Sequence, residues 1–208
     1  RLDPQRGPIL ACLGFDYAAA NRPWGHVAAL TQVQQSTDAK GRQRESILAL
    51  DEVALEGTAT NEAFAVAVLA MLARHGIAWP QIHSAHGDNP VRGRFSEKSN
   101  ALTERAIADE LGMVPHLMRP RVGRAKDVQS AGSRGTSCQY VYERIASGAM
   151  LVHPRCALTI RAFQEWDYSA DHPLKDVLDA RRYSLRPFAF RTVQVKGAEV
   201  VFHGRRAG

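Results

Sequence analysis

Asp16, Asp88, Asp176 and Asp179 are the side chains of this 208-residue chain best placed to do chemistry. Asp176, Asp179 and Tyr183 follow an i, i+3, i+7 pattern within Asp171-His-Pro-Leu-Lys-Asp-Val-Leu-Asp-Ala-Arg-Arg-Tyr183, so one helix face carries all three. Asp16 closes a short apolar run, and Asp88 lies just after a later strand candidate. Loops at strand ends are where α/β sheets place their ligands. Clustered carboxylates are hard oxygen donors that suit Mg²⁺ or Mn²⁺ better than zinc. Two such ions about 3.5–4 Å apart activate water and stabilise the leaving oxygen in phosphodiester cleavage. Each acid also has a plainer reading. Asp176 and Asp179 suit the positive end of a helix dipole on a solvated face. Asp16 and Asp88 suit turns. Asp51 and Glu52 lie in a strand, where alternation exposes one of them. His83 and His86, close to Asp88, read as strand and loop residues rather than ligands.

The elements that must bring the acids together are legible as a pattern. Ile9–Phe15 is a nearly continuous apolar run, read as a buried strand ending at Asp16. Residues 25–34 and 45–55 read as two further strands joined by the polar turn 36–42, giving a three-strand antiparallel meander. Thr60 caps a helix whose stripe is Phe64, Val68, Met71 and Leu72, with Gly76 as its stop. A brief strand spans 81–86 and runs into Gly87-Asp88-Asn89-Pro90. A helix over 99–111, a strand over 113–118, a helix over 137–147, a strand over 150–152 and a helix over 154–166 follow. The last main helix runs from Pro173, which can sit in its first turn, to Arg186, with Leu174, Val177, Leu178 and Leu185 as its apolar stripe. A hairpin turning at Lys196-Gly197 closes the chain. This order predicts an α/β fold, a mixed sheet with helices on its faces. If the first and fourth strands lie side by side, Asp16 and Asp88 can approach, and the last helix adds a third carboxylate.

Bulk properties set the class of partner. The chain carries 27 Lys and Arg against 21 Asp and Glu, a formal charge of +6, with an isoelectric point near 9.5. That suits a polyanion. Much of the excess sits in residues 119–135, where Arg119, Arg121, Arg124, Lys126 and Arg134 face one acid, Asp127. Cys12, Cys138 and Cys156 are far apart and odd in number, which indicates neither a zinc ribbon nor a disulfide framework. No apolar run is long enough to span a bilayer.

Several short motifs, in this order, resemble the nuclease domain of the large terminase subunit of tailed bacteriophages. They are Gly14-Phe-Asp16, Gly87-Asp88-Asn-Pro90, Val152-His-Pro-Arg-Cys156, Phe163-Gln-Glu-Trp-Asp-Tyr168 and Asp179-Ala-Arg-Arg-Tyr183. The resemblance covers residues 9–187, and its C-terminal motifs are the most specific. It implies an RNase H-like sheet, a three-strand antiparallel meander followed by parallel strands, over residues 9–208. Residues 1–8 would then be a linker from an upstream ATPase domain, whose phosphate loop does not occur in these residues. Asp16, Asp88 and Asp179 match the family's metal carboxylates. Asp176 falls where members carry His or Asp. Asn89 and Arg181 depart from the family's usual apolar or small residues.

The function implied is a Mg²⁺- or Mn²⁺-dependent endonuclease with two ions in its active complex. It would cut double-stranded concatemeric viral DNA during genome packaging in the host cytoplasm, with the small terminase subunit and portal as further partners. Asp16 and Asp88 would share one ion, and Asp176 with Asp179 would complete the second site. Arg92, Arg94 and Lys98, with Arg121, Arg124 and Lys126 in a flap, would hold the DNA backbone without reading sequence. Lys126 is the first of these to test. Two other readings remain open. One is another nuclease on this fold, a junction resolvase or an RNA:DNA-hybrid cutter. The other is a non-catalytic DNA-docking module.

Overall fold

The computed structural model describes residues 2–17, 24–56, 59–87, 131–166, 172–189, 193–195 and 198–200. Five strands form one mixed sheet: β1 (Ile9–Tyr17), β2 (Trp24–Thr37), β3 (Gln43–Glu56), β4 (Ile82–Gly87) and β5 (Met150–Val152). Their spatial order is β4-β1-β2-β3-β5. The pairs β1–β2 and β2–β3 are antiparallel, the expected meander. β4 runs parallel to β1 and β5 parallel to β3. The first and fourth strands are therefore neighbours, with Phe15 in register with Gly87. The turn between β2 and β3 is organised by Asp38, whose carboxylate accepts from the Lys40 and Arg42 amides.

Strand alternation sends β1 in two directions. Ala11, Leu13 and Phe15 join Ala28, Leu30 and Leu50 in a core covered by α1 (Asn61–Arg74) through Phe64, Val68, Met71 and Leu72. Thr60 caps this helix by accepting from the Ala63 amide, and Gly76 ends it at φ 63°. The opposite face carries α2 (Ala131–Ala146), α3 (Ala157–Glu165) and α4 (Lys175–Ser184), with short α5 (Arg186–Ala189) after it. Val27 and Ala29 of β2 meet Val177, Leu178 and Ala180 of α4 there. Cys12, Val33, Ile47 and Ala49 meet Val141, Leu185 and Phe188. The two faces are closed by different helices, and only one of them carries the acid cluster.

Several boundaries differ from expectation, each for a local reason. α4 starts at Lys175, not Pro173: the Lys175 amide bonds the His172 carbonyl, so Pro173 sits in a turn leading into the helix. Its end comes at Leu185, before α5. α3 starts at Ala157, since residues 154–155 form a turn in which the Cys156 amide bonds the His153 carbonyl. α2 begins six residues before the expected 137, so residues 131–135 of the expected flap are helical despite two glycines. A β6–β7 hairpin (Val193–Val195, Ala198–Val200) pairs as expected. The expected helix 99–111, the strand 113–118 and the remainder of the flap lie outside the described residues. No described helix is long and apolar enough to cross a membrane.

Candidate metal centre

Asp16, Asp176 and Asp179 come together. One carboxylate oxygen from each lies within 4.8 Å of the others. All three are buried, at 6%, 3% and 2% exposure. The approach that makes this possible is between backbones. Gly14, two residues before Asp16 and on the same strand face, lies directly beneath α4. A Cβ at Gly14 would collide with the Ala180 carbonyl and the Ser184 amide. A lone glycine within a strand marks such a place. With Gly14 bare, α4 settles onto β1 and sets the first turns of the helix beside the strand end.

A second device locks the helix in rotation. Arg181 is wholly buried and reaches across the sheet. Its Nη1 donates to the Leu30 carbonyl at 2.8 Å and to Thr31 Oγ1 at 2.9 Å. Its Nη2 donates to the Asp51 carbonyl at 3.2 Å and Thr159 Oγ1 at 3.3 Å. Glu52 stands 3.6 Å away and supplies the countercharge. The Glu52 carboxylate also accepts from the Leu158 and Thr159 amides, capping α3 from a distant strand. With Arg181 held on one side of α4, Asp176 and Asp179 are held toward β1.

Asp51 and Glu52 were expected to leave one side chain in solvent. Neither is exposed. The β2–β3 register slips between Leu30 and Thr31, where Leu30 pairs with Asp51 and Thr31 with Ala49, leaving Leu50 as the extra residue of a bulge. Leu50 and Asp51 therefore both turn to the α1 side, where Asp51 Oδ2 accepts from Arg74 and bonds His75 Nε2 at 2.8 Å. Glu52 turns the other way, to α3. Neither belongs to the acid cluster. His83 is exposed and stacks near Phe188. His86 is buried, and burial, with Arg186 and His83 nearby, pushes its ring down to about 4, so it is neutral at pH 7.

Two cations serve the cluster, neither of them expected from the sequence. The Lys175 ammonium lies 2.9 Å from Asp179 Oδ2 and 3.3 Å from Asp176 Oδ1. Arg182 Nε lies 2.7 Å from Asp179 Oδ1. Arg182 is itself fixed, with Nη1 bonded to Ser137, Nη2 bonded to the Tyr183 hydroxyl, and its guanidinium over the Tyr183 ring. Burial would raise the Asp179 carboxyl, but Arg182 and Lys175 outweigh it and hold Asp179 below the usual range. Burial likewise opposes the charge on Lys175, yet Asp179, Asp16 and Asp176 raise its affinity for the proton. The Lys175-Asp176-x-x-Asp179-x-x-Arg182 spacing carried this signal, since residues three and four apart meet on a helix.

The donor set fits a hard divalent cation. Asp176 Oδ2 is buried with no hydrogen-bond partner among the described residues, a costly state for a carboxylate oxygen. Three carboxylates against two cations leave a residual negative charge. Three carboxylates gathered in one buried place offer the hard oxygen donors that divalent cations of this class take. The fourth expected acid, Asp88, is the residue after Gly87 and lies outside the described residues, as do Arg92, Arg94, Lys98, Arg121, Arg124 and Lys126. No protein-family model, no curated protein and no solved structure matches this chain.

Proposed function

We propose that the chain is a divalent-metal-dependent endonuclease of the RNase H-like kind, acting on double-stranded DNA. The observation that carries this reading is the convergence of Asp16, from a strand end, with Asp176 and Asp179, from a helix 160 residues later in sequence. A strand-end acid and two helix acids gathered in one buried site, with Lys175 and Arg182 as the cations beside them, keep a negative charge that a bound dication would offset. Mg²⁺ or Mn²⁺ held by such a set supplies a nucleophile from water at neutral pH and offsets charge on a phosphate.

The chain's own groups would divide the remaining work. Asp16, Asp176 and Asp179 would hold the ions, and the family resemblance adds Asp88 as a further ligand. Arg182 would orient Asp179 through its Nε contact. The basic residues Arg92, Arg94, Lys98, Arg121, Arg124 and Lys126 would hold the DNA backbone. Concatemeric viral DNA as the substrate, and a packaging ATPase, small terminase subunit and portal as partners, follow from the family resemblance alone.

Plasmid nicking in Mn²⁺ tests this reading. Asp16→Asn should abolish cleavage and leave the melting temperature in metal-free buffer unchanged or raised, since it relieves repulsion among the acids. A folded Asp16→Asn chain that still nicks plasmid at the parent rate contradicts it. One observation favours a second reading, a structural ion-pair cluster in a non-catalytic DNA-docking module: Lys175 and Arg182 already pair with two of the acids. That reading expects DNA binding without cleavage and no response to Mn²⁺.

A further inference from the structure

We propose that the Lys175 ammonium is the resident cation of the acid cluster, and that a divalent ion enters by displacing it, so that Lys175 sets the concentration at which the centre loads. This rests on reading the cluster as a metal centre. A single ammonium bridges one oxygen each of Asp176 and Asp179, at 3.3 Å and 2.9 Å. Those residues supply two of the three oxygens that lie within 4.8 Å of one another. An ammonium seated between Asp176 and Asp179 places its charge where a metal ion shared by the same two carboxylates would sit, so the two cations compete for one pair of acids.

The two cations at the cluster are not equivalent. Arg182 takes the other oxygen of Asp179 and is tied to Ser137 and Tyr183, on two helices. Among the described residues, Lys175 is held by the acids alone. Its head sits on a flexible four-carbon stem, and its side chain retains 14% exposure, so it has a route to water. Charge gives the same answer. Three carboxylates with Arg182 alone carry a net −2, which a dication neutralises, whereas with Lys175 in place they carry only −1. Arg182 therefore positions Asp179, and Lys175 competes with the metal.

Calorimetric Mn²⁺ titration of the 208-residue chain and its variants tests the competition. Lys175→Met should bind Mn²⁺ at least about tenfold more tightly, a modest share of the unit-charge interaction removed at this distance. Arg182→Met should not gain affinity. Removing Lys175 leaves buried acids unpaired and can cost the fold, so the parent chain carries a second readout. Reductive methylation, read by peptide mass with exposed Lys40 as the internal standard, should label Lys175 slowly without metal and several-fold faster at saturating Mg²⁺. Unchanged or weaker Mn²⁺ affinity in folded Lys175→Met, or unchanged Lys175 labelling at saturating Mg²⁺, overturns the proposal. If neither chain binds Mn²⁺ above Asp16→Asn, the metal-centre reading itself fails. Tight binding by the parent with Lys175 still protected would sink only the role of Lys175.

Discussion

Asp51 and Asp176 are each 3% exposed, on opposite faces of one sheet, and they have opposite kinds of surroundings. Asp51 is saturated. Its Oδ2 meets Arg74 and His75, and its Oδ1 accepts from the Glu52 amide. Burial raises the Asp51 carboxyl, but His75, the Glu52 amide and Arg74 together hold it below the ordinary carboxylate value. It pins the end of α1 to β3, and its chemistry is complete. Asp176 shares one ammonium with Asp179, has Asp16 within 4.8 Å, and keeps Oδ2 without a partner. A buried acid that the fold fully satisfies is an anchor. A buried acid left short of donors beside two others is a candidate ligand site.

The largest break in this contrast should come from paired substitutions. Asp16→Asn should reduce Mn²⁺-dependent nicking by roughly 10³-fold or more, the scale of removing a group that organises transition-state charge. Asp51→Asn should leave cleavage per folded molecule at the parent level. Equal losses in both would erase the distinction between anchor and site.

Next in size is Gly14→Ala. The added methyl meets backbone, which cannot rotate away, so α4 must lift from β1. A loss of about 3 kcal/mol in urea unfolding is expected, with Mn²⁺ affinity falling alongside it because Asp16 separates from Asp176 and Asp179. Asp51→Asn should cost less, about 1–2 kcal/mol, since Arg74 is 43% exposed and can return to water.

The smallest effect sharpens the comparison through pH. Asp51 and Asp179 both have folded values below the ordinary 3.8. Each therefore contributes stability that is present above that value and lost as pH falls through the folded one. Urea unfolding should show stability dropping below about pH 4, with a shallower drop in Asp51→Asn. Lys175, held above its ordinary 10.5, works at the other end. Its contribution is present below that value and fades as pH rises past the folded one.

The meander was legible because its strands are long and apolar and are separated by strong turn residues. The α1 face was legible for a similar reason: Phe64, Val68, Met71 and Leu72 recur at helical spacing and all lie in the core. Asp16, Asp176 and Asp179 were legible as candidates, since strand ends and helix faces follow from short-range pattern. That they meet depended on Gly14, whose role is a contact with a helix 166 residues away. No local period encodes that. The fates of Asp51 and Glu52 were hidden for another reason. The two do face opposite ways, as alternation expects, but α1 covers one face of β3 and α3 the other, so neither side chain reaches solvent. Arg181 stood out in the sequence as unlike the usual residue of the family its motifs resemble, and in the structure it has partners of its own. Its guanidinium is matched by Thr31, Thr159, Glu52 and two carbonyls on three other elements. A single sequence does not show that such partners are waiting.

Diffraction from crystals soaked in Mn²⁺, with anomalous data collected at the manganese edge, tests the central claim most directly. The account predicts a peak among the carboxylates of Asp16, Asp176 and Asp179, absent from Asp16→Asn crystals treated alike. No peak there at saturating Mn²⁺, or one confined to Asp51 on the other face, would contradict it.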